Sequence, residues 1–159
     1  MEYKVSHFVE GMKVFDEKDN LLFIIKRRHT WTGVLITSVY QTGIYHEEAL
    51  VFETRENNWL IYHRSTISYQ HLPVPVAFQK RKGGYVFLLE NKELAIKTRL
   101  FKDPLYIFLK NHVEVGYASL TKRGFQLPPV EYRLCFEPQE KDHLLLLFLF
   151  LYHLTPFSS

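Results

Sequence analysis

The residues best suited to chemistry in this chain are cations. Lys26-Arg27-Arg28 and Lys80-Arg81-Lys82 form two triplets, with Lys97, Arg99, Lys102, Lys122 and Arg123 as further candidates. Guanidinium and ammonium groups gathered at one rim or face would coordinate phosphate oxygens, those of phosphorylated head groups included. The competing reading is plainer: charged strand ends keep a β-rich surface soluble and blunt its edges against aggregation.

Other constellations are thinner. The eight histidines form no H-x-x-x-H or Cys/His pair at a ligand spacing; His63 and His71 fall on an expected strand and loop, and His29 and His46 on separate elements. Glu137, Glu140 and Asp142 lack the alternating ligands and glycine of a calcium loop, and read as acids at a helix start. The chain has no G-x-S-x-G elbow, phosphate-cradling glycine loop or dinucleotide fingerprint, so neither catalysis nor a metal or cofactor is expected. The single cysteine, Cys135, excludes an internal disulfide and reads as a small, quiet strand residue suited to a reducing compartment. Tyr62, Tyr106 and Phe108 are expected on exposed strand faces, where aromatic rings could stack bases. A net charge of +3 and a pI near 8.9 are mild, however, and no nucleic-acid partner is expected.

The elements that must position these residues are mainly strands. Thirteen Phe and ten Tyr suit pleated surfaces, and seven Gly and seven Pro are spread as turn punctuation through 159 residues, the size of one domain. Period-two alternation recurs: in LAIKTRLF, Leu94, Ile96, Thr98 and Leu100 share one face, and in VEYRLCFE, Val130, Tyr132, Leu134 and Phe136 do. Similar runs, among them YKVSHFV, LLFIIKRR, VLITSVYQ, EALVFETR, WLIYHR and LYIFLKN, bring the total to roughly ten to twelve strands between residues 3 and 137. DEKDN, KGG, ENKE and KRG supply hairpin chemistry between them.

The stretch DHLLLLFLFLYHLTPF is different. From Leu144 to Leu151 every residue is Leu or Phe, so a helix here has no polar side and must be enclosed by lipid or protein. A membrane span needs about 20 apolar residues, and this run is about half that. The pattern predicts a helix from about 139 to 154, opening at Pro138 and stopped by Thr155-Pro156, with Leu144, Leu145, Leu147, Phe148 and Leu151 on the axis of a core. A closed antiparallel barrel can enclose it on every side.

MKVFDEKDNLLFIIKRR resembles the strand–turn–strand opening of the LURP-one-related proteins, and VEVGYASLTKR followed by VEYRLCFEPQEKDHLLLLFLFL resembles their closing strands and final hydrophobic helix. That group shares a superfamily with the tubby C-terminal domain and the phospholipid scramblases. The resemblance implies a twelve-stranded barrel around a central C-terminal helix, and a binding module for anionic lipid.

The expectation is therefore one tubby-like domain over residues 1–159, without enzymatic activity, recognising an anionic phospholipid surface through Lys26, Arg27, Arg28, Lys80, Arg81 and Lys82. The alternative is a protein-interaction domain that presents an exposed aromatic patch. The opening MEYKVSHFVEG has no basic start followed by an apolar core, so a cytoplasmic, membrane-peripheral and not transmembrane protein is expected.

Overall fold

The computed structural model describes residues 1–8, 11–32, 37–59, 62–72, 75–82, 84–122 and 130–154, without the side chains of residues 31, 32, 37, 59, 62, 63, 80 and 122. Twelve strands precede one helix: β1 (Glu2–Phe8), β2 (Gly11–Phe15), β3 (Leu21–Thr32), β4 (Thr37–His46), β5 (Ala49–Trp59), β6 (Tyr62–Gln70), β7 (Ala77–Arg81), β8 (Gly84–Leu89), β9 (Lys92–Thr98), β10 (Tyr106–Lys110), β11 (Val113–Lys122), β12 (Val130–Phe136) and α1 (His143–Leu154). Consecutive strands pair antiparallel from β1 to β6 and again from β7 to β12, and β1 pairs with β12. The result is a nearly closed up-and-down barrel whose seam lies between β6 and β7. At that corner the Gln70 side-chain amide stands in for a ladder rung, accepting the Val76 N–H at 2.9 Å and donating to its carbonyl at 3.4 Å.

The alternating pattern turns one row of each strand inward. Val5, Val14, Phe23, Ile44, Phe52, Phe87, Leu94, Phe108 and Leu134 are buried there. The core helix fills the space between them. Every residue from Leu146 to Tyr152 is buried, and seven successive positions at about 3.6 residues per turn cover the whole circumference. Its neighbours come from all around the barrel: Phe148 packs on Phe23 and Phe52, Phe150 on Tyr106, Phe108 and Tyr132, and Tyr152 on Phe52 and Phe78. Among the described residues no helix is long and apolar enough to cross a membrane.

Several expectations need correcting. The helix begins at His143, not 139, because residues 137–141 form a turn closed by Glu140 N–H to Glu137 C=O, and the first helical bond runs from Leu146 N–H to Asp142 C=O. Leu144 is 40% exposed and Leu145 half-buried, so the enclosed axis starts at Leu146. Tyr106 and Phe108 face inward against Phe150 and do not form an exposed platform. WLIYHR is not one strand: Trp59 ends β5 and pairs with Tyr62, which begins β6. Arg99, Leu100 and Phe101 leave β9, which ends at Thr98. The KRG turn lies largely outside the described residues.

Candidate basic cleft between two strands

The β7–β8 hairpin is fully zipped, from Ala77 opposite Leu88 to Arg81 opposite Gly84. Its pairing with β9 is not. That ladder runs only from Leu89 opposite Lys92 to Phe87 opposite Leu94. Continued, the register would set Tyr85 against Ile96 and Gly84 against Lys97, yet those segments splay apart and leave a cleft of about 400 Å³.

Local side chains account for the splay. Tyr85 stacks on Phe78 with ring centroids 4.3 Å apart, which holds the start of β8 to the β7 side. His153, in the last turn of α1, occupies the gap from within. A 3.3 Å hydrogen bond joins its Nε2 to the Thr98 hydroxyl, and a Cβ placed on Gly84 would lie 3.4 Å from its Nδ1. Gly84 has φ +143°, a conformation in which any side chain would also strain the backbone. The imidazole meets Tyr106 edge-on at 5.3 Å, and burial pushes its pKa below the usual histidine value. The ring that backs Gly84 and Thr98 is therefore uncharged near neutral pH.

The rim of the cleft is basic. Arg81, Lys82 and Lys97 line it, opposed by Glu93. The Arg81 guanidinium holds Glu93 at 2.7 Å, while among the described residues Lys82 and Lys97 make no ion pair. Three cations against one carboxylate leave a positive cleft that is wide enough for a phosphate-sized group and edged by strand backbone.

The two sequence triplets meet different fates. Three consecutive residues on a strand alternate faces, so Lys26 and Arg28 are exposed while Arg27 turns towards the barrel interior. There it lies over the Tyr40 ring at 4.2 Å, with Nη2 3.5 Å from the Glu56 carboxylate. Lys26 lies over the Tyr45 ring at 5.2 Å. Lys80 sits on β7, its side chain outside the described set, whereas Arg81 and Lys82 enter the hairpin turn and reach the cleft. Strands β3 and β7 are separated by β4, β5 and β6 across the seam, so the triplets do not merge into one patch. The residue that completes the cleft, Lys97, was only a lesser candidate in the sequence; the signal was a lysine on the outward row of the next hairpin.

Several other candidates are tied to structural partners, while the Lys122 side chain and Arg123 lie outside the described residues. Glu140 and Asp142 accept hydrogen bonds from Lys110 at 2.9 and 2.7 Å, and Asp142 another from Lys92 at 2.8 Å, so they close the barrel around the start of α1. Cys135 lies on the outer side of β12, its Sγ 3.7 Å from Glu2 Oε1. His29 stacks on Tyr40, and His46 Nδ1 lies 2.8 Å from the Leu22 carbonyl. Among the described residues no three His, Cys, Asp or Glu side chains come together as a metal site would require. A smaller depression of about 200 Å³ near Glu2 and Lys4 is laced by the Lys4–Asp19 and Arg133–Glu2 ion pairs.

Compared with protein-family models, with curated proteins and with solved structures, the chain finds no match in any of the three.

Proposed function

We propose that this chain is a non-enzymatic, tubby-like binding module that recognises anionic lipid head groups at a membrane surface, using the cleft between β8 and β9. The observation that carries the reading is the convergence of Arg81, Lys82 and Lys97 on one open cleft, with two of the three cations outside any ion pair among the described residues. An unpaired ammonium at a surface is a phosphate ligand in waiting. Thr98, which lines the cleft, adds a hydroxyl that can hydrogen-bond an esterified oxygen. The barrel and enclosed helix suit the LURP-one-related and tubby-like resemblance of the two chain ends, which supports the same ligand class.

Vesicle co-sedimentation tests it. Binding is expected to rise with the fraction of anionic lipid and to fall at high salt, since surface charges are screened within about 10 Å at 0.1 M ionic strength. Replacing Lys82 and Lys97 together by Ala removes about 1 kcal/mol per cation, a loss of roughly thirtyfold in partitioning. No charge-dependent binding at low salt would end the proposal.

A further inference from the structure

The loop that follows β9 carries an apolar pair at its tip. Leu100 is 71% exposed and Phe101 102%, as open as a side chain can be. Phe101 also has φ +60°, a left-handed conformation that bulky residues rarely adopt. The turn is pinned on both sides of it, by Arg99 N–H to Leu105 C=O at 2.7 Å and Lys102 N–H to Arg99 C=O at 3.3 Å. Among the described residues the Phe101 ring meets no other ring. A strained backbone that holds an aromatic side chain away from all packing gains nothing for the fold, and such outliers persist where function uses them.

The surroundings specify what the tip meets. Arg99 and Lys102 flank it, Lys97 lies at the end of the strand below, and Arg81 and Lys82 occupy the neighbouring hairpin turn; Asp103 is the one carboxylate within the loop. A two-residue apolar point set between Arg99 and Lys102, on the loop that leaves the strand of Lys97, matches the layered chemistry of a bilayer surface, hydrocarbon beneath and phosphates above. A protein interface would call instead for a broad apolar patch around a buried anchor. We infer that Leu100 and Phe101 insert into the outer acyl region of an anionic bilayer while the cations of the loop and cleft hold its phosphates. This inference rests on the head-group reading above and adds the partner's physical state: a membrane, not a free phosphate.

The experiment compares wild type with the double variant Leu100→Asn/Phe101→Asn on phosphatidylcholine vesicles with and without phosphatidylserine, and on soluble inositol phosphate. Asn tolerates the left-handed conformation, so the variant is expected to melt no lower than wild type, which separates binding from folding. Its partitioning onto phosphatidylserine vesicles is expected to fall by about a hundredfold, about tenfold for each side chain withdrawn from hydrocarbon. A second measurement labels position 101 directly. In a Cys135→Ser background, Phe101→Cys carrying an environment-sensitive fluorophore should shift to the blue on those vesicles and be quenched by spin labels in the acyl chains. Equal vesicle binding by the double variant, with a silent label, overturns insertion and leaves the head-group reading standing. Equal binding to neutral and anionic vesicles, lost in the double variant, retains insertion and removes the head-group reading. No vesicle binding by wild type overturns both, and binding of inositol phosphate alone, or of a soluble protein at the tip without vesicle binding, overturns insertion.

Discussion

Tyr152 Oη donates a 2.9 Å hydrogen bond to the Thr42 carbonyl, joining the last turn of the core helix to β4 across the barrel interior. The side chain is 1% exposed, and burial pushes the phenol far above the usual tyrosine pKa, so it remains a donor at every accessible pH. Thr42 lies within the ladders to β3 and β5, so the hydroxyl adds a bond between helix and sheet that no other group on Tyr152 can make. Tyr152→Phe is expected to cost about 1–2 kcal/mol in urea denaturation with an unchanged slope. A stability within error of wild type would show that the bond contributes nothing net.

The aromatic contacts of Phe148 make a stronger prediction. Its ring is 1% exposed, 5.2 Å from Phe23 and 6.1 Å from Phe52. Phe148→Ala opens a cavity that strands in a hydrogen-bonded barrel cannot close, and is expected to cost about 3–5 kcal/mol. Leu147→Asp or Phe148→Asp would bury an unpaired charge and should abolish folding. A soluble, cooperatively unfolding Asp variant would contradict an enclosed helix.

Much of this architecture was legible in the residues. The run from Leu146 to Tyr152 has no polar side, and the inward rows Leu94, Ile96, Thr98 and Val130, Tyr132, Leu134, Phe136 follow period two, so barrel and core helix could be anticipated together. Turns were less visible. Glu47-Glu48 and Asn111-His112 form tight hairpins with φ values of 47°, 71°, 49° and 67°, and glutamate carries no preference for that conformation. The end of β9 was misplaced because Leu100 and Phe101 continue its alternation without interruption; only the local turn geometry ejects them. The site was half legible. Arg81 and Lys82 could be named, but their joining with Lys97 depends on where a ladder stops, which is a matter of packing around Tyr85 and His153 and not of local pattern.

At the other mouth of the barrel Asp142 takes Lys92 and Lys110 at once. Burial alone would raise its carboxyl, but hydrogen bonds from Lys110 and Lys92 outweigh that and hold it below the usual carboxylate range. A depressed folded-state pKa contributes stability that is present above the unfolded value near 4 and is lost as pH falls through the folded one. Asp142→Asn should therefore destabilise by about 1–3 kcal/mol at pH 7 and by less at pH 3, below the unfolded value. An equal cost at both pH values would mean that the carboxylate's charge plays no part.

Glu56 should show the opposite pH dependence. Its side chain is 1% exposed and neither carboxylate oxygen has a hydrogen-bond partner among the described residues; the Arg27 Nη2 at 3.5 Å is its ion-pair partner. Burial raises its pKa to about 7, an effect that Arg27 offsets only in part. The folded protein thus binds this proton more tightly than the unfolded chain. The resulting stabilisation is fully present below 4.5 and is lost as pH rises through 7. At about 1.4 kcal/mol per pH unit, wild type should lose about 3 kcal/mol across that window relative to Glu56→Gln, which cannot titrate. His7, His143 and His153, all held below the usual histidine range by burial, contribute in the opposite direction but equally in both proteins. The difference between the two stability curves, measured by denaturation from pH 4 to 8, isolates Glu56. Parallel curves would mean that the carboxylate is already ionised and paired at the lower end of the range.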